Sequence, residues 1–209
     1  MNNIIGLDKF YVWRESDNER LPDVSFIPPM VRRRMTDLQK IAIGVAHHVV
    51  PDNTDYQMVF ASRYGEWNQT IKLITQFHND NEMSPAGFSN SVHNAAAGAF
   101  SVLTKNKKSY VSVAAGARTL ESGILAALMA ERPVLFVFAE EKSPEMYTPF
   151  LEKPVLAHAM VFMLSDSAAR RIIWSENTES VPILTFDAMA DFLECGGDIS
   201  TSSWKMADK

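Results

Sequence analysis

Residues 109–129 have the sequence SYVSVAAGARTLESGILAALM, and this stretch decides the fold. Its beginning, at Tyr110, Val111 and Val113, has the β-branched and aromatic side chains typical of a strand. Apolar residues then recur at helical spacing, namely Leu120, Ile124, Ala127 and Leu128. Between them lies a run of small residues. The pattern predicts a strand, a tight turn and a helix.

The tip of this turn holds Ala114, Ala115 and Gly116, without a serine, cysteine or threonine. Acyl-transfer enzymes place a nucleophile on such a turn, because the backbone aims its side chain at a helix N-terminus. The N–H groups there can hold an oxyanion. The sequence therefore predicts the frame of an acyl-transfer site without its reacting atom.

The composition is that of an ordinary globular chain, with 209 residues, 46% hydrophobic and 22% charged. We expect a single domain over residues 1–209, with a core from about 10 to 195 and a polar tail after 196. The net charge of −5 argues against nucleic-acid binding. Cys195 is the one cysteine, so no disulfide framework is expected. Without a signal-peptide pattern or an apolar run of about 18 residues, we expect a cytoplasmic protein with no membrane span.

Strands and helices alternate along the chain, which predicts an α/β sheet covered on both faces. The predicted strands are 10–13, 57–61, 110–113, 133–139, 157–164 and a short edge strand at 182–186. The first predicted helix begins near Thr36, which forms a capping-box pattern with Gln39. The other predicted helices cover about 67–77, 94–103, 119–129 and 188–194. The strand at 110–113 is short and half apolar, which favours an edge that a partner covers.

Other chemistry is sparse in this sequence. The five histidines have no metal-site spacing, and His93 is interpreted as a structural histidine. Cys195 lies at a predicted helix end, where an inert thiol is the expected state. No nucleotide-binding glycine motif occurs, so we predict neither a metal nor a cofactor. Three consecutive cations, Arg32, Arg33 and Arg34, are either a solvated cluster or a docking site for an acidic partner.

Five motifs, in this order, resemble the N-terminal half of β-ketoacyl synthases over about residues 32–166. They are RRMTDL at 33–38, FASRYG at 60–65, SPAGFSNSVHNAAAG at 84–98, VAAG at 113–116 and FVFAEE at 136–141. The stretch at 84–98 is the most specific. It is similar to the short ketosynthase-like chain length factors found with aryl polyene synthases.

This resemblance implies half of a thiolase-like (ketosynthase) fold, with one mixed sheet covered by helices. Ala115, with Gly116 adjacent, falls where the family carries its cysteine. The second half of the duplicated fold would supply two histidines, or a histidine and an asparagine, and none can be assigned here. The resemblance thus implies a protein that is not an enzyme. It would be a chain length factor that heterodimerises with a full-length β-ketoacyl-acyl-carrier-protein synthase and shapes the end of its acyl tunnel in polyene biosynthesis.

The resemblance also implies roles for particular residues. The expected dimer interface is Tyr110, Val111, Ser112, Val113 and Ala114, pairing with the partner's strand. Five bulky residues are candidates for the tunnel wall, with ordinary core as the alternative for each: Trp67, Ile71, Ile74, Phe77 and Phe88. An acyl carrier protein is a further candidate partner, and 1:1 and 2:2 assemblies both stay open.

A second function also remains open at this point. A stand-alone thiolase-like acyl decarboxylase or hydrolase could work without the usual cysteine. A decarboxylase needs only an oxyanion hole, which the N–H groups of Ala115 and Gly116 could offer.

Overall fold

One mixed sheet forms the centre of the molecule. The computed structural model describes residues 3–16, 19–50, 55–177, 181–201 and 203–208. Within these ranges eight strands pair in the order β3-β2-β4-β5-β1-β6-β8-β7. They are β1 Asn3–Arg14, β2 Gln57–Ala61, β3 Tyr110–Val113, β4 Val134–Glu140, β5 His158–Ser165, β6 Arg170–Glu176, β7 Asp198–Ser200 and β8 Trp204–Asp208. Strands β3, β2 and β4 are parallel, and the remaining pairs are antiparallel.

Seven α-helices accompany the sheet in the described residues. They are α1 Pro29–Arg32, α2 Asp37–His47, α3 Trp67–Asp80, α4 Pro85–Ser89, α5 Ala95–Thr104, α6 Thr119–Met129 and α7 Phe186–Cys195. Helices α6 and α7 cover one face of the sheet, and α2 and α5 cover the other. The predicted α/β architecture with one mixed, covered sheet is confirmed.

Strand β4 shows how the two cores are divided. All seven of its residues are buried, as its continuous apolar run predicts for a central strand. Because side chains alternate along a strand, Phe136 and Phe138 enter the α6–α7 core. Leu135 and Val137 enter the α2–α5 core instead.

Helix α2 begins where its capping box predicts. The Thr36 hydroxyl accepts a hydrogen bond from the Gln39 N–H at 3.1 Å, and the Gln39 side-chain oxygen accepts from the Thr36 N–H at 3.4 Å. These reciprocal bonds satisfy two backbone donors that a helix start otherwise leaves unpaired. The cap therefore fixes the first turn of a helix that is buried on more than one side.

The predicted edge strand at 182–186 is wrong. Residues 181–185 form no strand, and α7 begins at Phe186 because the Thr185 hydroxyl accepts a hydrogen bond from the Ala188 N–H at 3.2 Å. Pro182 also lacks the N–H that a ladder position would donate.

The predicted core limits are wrong at both ends. Strand β1 begins at Asn3, well before Phe10. The expected polar tail after 196 instead forms β7 and β8, which extend the sheet beyond β6. Trp204 and Met206 of β8 are buried in the α6–α7 core, because alternate residues of this strand face α7 and α6.

Candidate functional site

The turn after β3 has the predicted strand–turn–helix form. Strand β3 ends at Val113, and a 3-10 turn at Gly116–Arg118 leads into α6. Gly116 has φ of +58°, in the left-handed region that favours glycine. The Thr119 hydroxyl accepts from the Ala115 N–H at 2.9 Å and donates to the Gly116 carbonyl at 2.7 Å. Thr119 thereby locks the turn, and its hydroxyl is already used as both donor and acceptor.

A cavity of about 180 Å³ lies beside this turn. Its polar groups include Glu140 and His158, and apolar side chains such as Phe138 and Phe186 form much of its wall. Thr119 is the only serine, cysteine or threonine that lines it within the described part of the chain. The cavity thus contains a carboxyl and an imidazole but no free nucleophile beside them.

Glu140 and His158, two polar groups of the cavity, are held by hydrogen bonds within the protein. Glu140 accepts hydrogen bonds from the Arg63 backbone N–H and, at 3.2 Å, from the Ser62 hydroxyl, and burial raises its pKa to about 7. His158 Nδ1 donates to the Leu156 carbonyl at 2.8 Å, and burial lowers the pKa of this ring. We therefore assign both groups a structural part in shaping the ends of β4 and β5.

Strand β3 is the outermost strand of the sheet on this side, which confirms the predicted edge position. The Met58 N–H donates to the Ser109 carbonyl at 3.1 Å, and the Ser62 N–H donates to the Val113 carbonyl at 3.2 Å. Backbone groups of successive strand residues point to opposite sides. Residues 109, 111 and 113 therefore face β2, and residues 110, 112 and 114 direct their N–H and C=O groups to the open edge.

The side chains of β3 add to this unpaired edge. Tyr110 is 37% exposed and Val111 is 51% exposed. The Ser112 hydroxyl is buried and finds no hydrogen-bond partner among the described residues. The edge thus combines unpaired backbone groups with exposed apolar side chains.

The five tunnel-wall candidates fall into two groups. Trp67 and Ile71 are half-buried, and Trp67 stacks on Tyr64 with ring centroids 4.2 Å apart. Three others are exposed on the chain: Ile74 by 61%, Phe77 by 51% and Phe88 by 57%. The ordinary-core alternative is therefore wrong for these three. These three exposed apolar side chains of α3 and α4 are called here the α3–α4 face.

A family model described as "Beta-ketoacyl synthase, N-terminal domain" matches residues 11–190. The chain belongs to the β-ketoacyl synthase N-terminal domain family. The match spans most of the 209 residues. The resemblance inferred from the motifs is thus confirmed at the level of the family.

Solved structures share the fold of this β-ketoacyl synthase domain. One chain from "Ketosynthase (ApeO) in Complex with its Chain Length Factor (ApeC) from Xenorhabdus doucetiae" is 19% identical, with a TM-score of 0.78, and the match covers 98% of this chain and 99% of that chain. The ishigamide ketosynthase/chain length factor is 13% identical, with a TM-score of 0.54, covering 71% of this chain and 51% of that chain.

A β-ketoacyl synthase from Burkholderia phymatum STM815 is 12% identical, with a TM-score of 0.56, covering 82% of this chain and 55% of that chain. The β-ketoacyl synthase domain described here therefore spans about half the length of the last two chains. No curated protein sequence matches it. The predicted thiolase-like, ketosynthase-type fold is confirmed by these likenesses.

The basic cluster begins at Arg32, the last residue of α1, and continues into the turn before α2. Arg32 Nη1 donates to the Val24 carbonyl at 3.3 Å, so this guanidinium is partly engaged by the chain. Arg33 and Arg34 are exposed. The Arg34 carbonyl accepts from Asn90 Nδ2 at 3.1 Å, which ties the cluster's backbone to the end of α4. Its role in docking an acidic partner stays a prediction.

Three carboxyls near this site whose pKa is raised by burial were missed from the sequence: Glu66, Glu140 and Glu141. Burial raises the pKa of Glu66 to about 8 and that of Glu141 to about 7. A signal was present for two of them, because Glu140 ends an otherwise apolar strand and Glu141 directly follows it. Glu66 lies in a turn and has no such signal.

The remaining reactive groups have ordinary surroundings. His93 Nε2 lies 2.8 Å from the Ser62 carbonyl oxygen, a structural hydrogen bond. Cys195 is exposed at the end of α7. Across the described ranges, no group of three or more His, Cys, Asp or Glu side chains could hold a metal ion. None of the described helices has the length and apolar character needed to cross a membrane.

Proposed function

We propose that this chain is a non-catalytic chain length factor that works in the cytoplasm as the partner of a full-length β-ketoacyl-acyl-carrier-protein synthase. It would heterodimerise with that enzyme and shape the end of its acyl tunnel in aryl polyene biosynthesis. One observation carries the proposal: an unpaired edge strand, β3, runs into a nucleophile turn that has no nucleophile. The ApeO–ApeC complex supports it, since a chain of that complex matches this one over nearly its whole length.

The absence of catalysis is supported by the turn itself. Ala115 and Gly116 offer no reacting side chain, and the Thr119 hydroxyl is bound on both sides. Residues 114–118 are exposed, so water reaches the turn. A stand-alone decarboxylase would need a site that excludes water from its reactive intermediate.

The pairing of the two subunits is supported by the outward backbone groups of Tyr110, Ser112 and Ala114. An antiparallel strand from the partner would accept and donate at these positions and continue the sheet. It would also cover Val111. Pairing thus removes the exposed edge that an isolated sheet must otherwise protect.

The gating role is supported by the α3–α4 face. Ile74, Phe77 and Phe88 are bulky and uncovered, so they can close a cavity in a partner. Overfilling a packed cavity costs about 1–3 kcal/mol, which changes the preference between chain lengths by about 5-fold to about 150-fold. We propose this face as the wall that stops chain growth.

The experiment is co-expression with a cysteine-bearing ketosynthase, comparing S112P with S112A. S112P removes the N–H that faces the open edge, whereas S112A keeps it and removes only the hydroxyl. We expect wild type and S112A each to co-purify one-to-one with the ketosynthase, and we expect S112P to lose the complex. A wild-type chain that purifies as a monomer and turns over acyl-carrier-protein thioesters alone would overturn the proposal.

A further inference from the structure

Helices α3 and α4 form a unit that packs well within itself. All residues of α3 and α4 are described. Leu73 is the single buried residue of α3, and α4 has no buried residue. A Cβ at Gly87 of α4 would lie 2.9 Å from Leu73 Cδ2, so the two helices approach each other closely at this point. Gln69 Nε2 also donates to the Gly87 carbonyl at 3.1 Å. These contacts join the two helices, and residues 66–90 are called here the α3–α4 unit.

Polar contacts attach this unit to the rest of the chain at its start. The Thr36 hydroxyl of the α2 cap donates to Glu66 Oε1 at 2.9 Å. The Asn68 backbone N–H donates to Glu141 Oε1 at 3.0 Å, and Asn68 Nδ2 donates to the Lys142 carbonyl at 2.9 Å. The first turn of α3 is thus held by α2 on one side and by the end of β4 on the other.

A second polar attachment lies at the other end of the unit. Asn90, just after α4, donates from Nδ2 to the Arg34 carbonyl at 3.1 Å. Its Oδ1 accepts from Gln39 Nε2 at 3.2 Å. Gln39 is itself part of the α2 capping box. Both ends of the α3–α4 unit are therefore hydrogen-bonded to the start of α2.

We infer that Glu66, Glu141 and Asn90 are positioning residues that fix where the α3–α4 face lies. Because this face is the proposed wall of the acyl tunnel, its position determines which acyl chain length the complex accepts. This rests on the proposed function. Burial of one methylene group corresponds to about a fourfold change in equilibrium. A displacement of the wall by the length of a single methylene is therefore enough to alter the product distribution.

The burial and protonation of the two carboxyls agree with a positioning role. Glu66 and Glu141 are buried, and Glu66 Oε2 has no hydrogen-bond partner among the described residues. The charged groups that face them are themselves acidic: Glu141 and Asp37 for Glu66, and Asp37 for Glu141. Burial raises the pKa of Glu66 to about 8 and that of Glu141 to about 7, so at pH 7 the neutral form is favoured for Glu66 and both forms are present for Glu141. A neutral carboxyl can hydrogen-bond without a buried charge.

The test uses E141A, with E141Q as the conservative variant and E152A, an exposed position of the same segment, as the matched control. Each variant is purified with the ketosynthase, and the lengths of the acyl products are measured. We expect E141A to change the ratio of neighbouring products at least about fourfold at an unchanged subunit ratio. E141Q keeps an acceptor oxygen for the Asn68 N–H, so it and E152A should stay within about twofold of wild type.

A second variant covers the case in which E141A does not fold. N90A removes both hydrogen bonds at the far end of the unit without leaving a carboxyl uncompensated, and it should shift the same ratio. An intact N90A complex with the wild-type distribution would overturn the inference.

Failure of the inference is separable from failure of the proposed function. F77A and F88A alter the wall itself rather than its attachment. If they shift the products and neither N90A nor E141A does, the positioning inference is wrong and the gating proposal stands. If no variant shifts the products of an intact complex, both are wrong.

Discussion

Helices α3 and α6 follow strands at the same end of one sheet, yet they use their apolar residues in opposite ways. Seven of the eleven residues of α6 are buried, including Ile124 against β2 and β4. Among the fourteen residues of α3, all described, one is buried, and Ile74 and Phe77 remain exposed. Helix α6 packs into its own core, whereas α3 leaves apolar side chains exposed on the described part of the chain. The difference separates what folds this chain from what it offers to a partner.

The same substitution in both helices tests whether they differ in their contribution to stability. I124A removes a fully buried side chain from α6 and should lower the free energy of unfolding by about 2–5 kcal/mol. I74A in α3 should change it by about 0.5 kcal/mol or less, because that side chain is already in water. Urea unfolding of the full chain measures both. Equal effects would contradict the division of roles.

The attachment of α3 should make stability depend on pH. The folded pKa of Glu66, about 8, lies above its ordinary value of 4.5, so the fold favours the protonated form. The stability linked to this proton is complete below about pH 4.5 and is lost as the pH rises towards 8. Between pH 6 and 8 we expect a fall of up to about 2 kcal/mol.

The control for this pH effect is E66Q, whose amide cannot ionise. Its unfolding free energy should vary less over the same pH interval than that of wild type. Parallel curves for wild type and E66Q would show that another group is responsible.

A smaller effect on stability is expected at the start of α2, where the Thr36 hydroxyl bonds both α2 and Glu66. T36A removes both the acceptor for the Gln39 N–H and the donor to Glu66, and should lower the free energy of unfolding by about 1–2 kcal/mol. T36S keeps the hydroxyl and should lie close to wild type. Thermal unfolding of the pair tests this, and a T36S loss as large as that of T36A would point to the methyl group instead.

Local patterns predicted those parts of the fold that local chemistry determines. The bounds of β2, the capping box at Thr36, the buried run of β4 and the turn after β3 all follow from short stretches of sequence. Strand β6 was not predicted, because its sequence RRIIWSE lacks the alternation of apolar and polar residues that is typical of a half-buried strand, and its pairing with β1 and β8 is not visible locally. The short strand β7 depends on β8 in the same way.

The candidate site could be predicted only in part, for a related reason. Helical spacing showed that Ile74 and Phe77 share a face of α3, but periodicity does not tell whether that face meets the sheet or the solvent. Glu66 became meaningful only once the fold brought it to Thr36, thirty residues away along the chain. Chemistry that depends on such distant contacts has no local signature to find.

The two edges of the sheet are unequal, and this bears on how an assembly ends. At the β3 edge, alternate backbone groups are open to a partner. At the far edge, β7 has three residues and begins with an exposed aspartate, features that discourage further pairing. A sheet that can be extended on one side only joins one neighbour and then stops. The unequal edges therefore favour a closed pair over an open-ended fibre of stacked subunits.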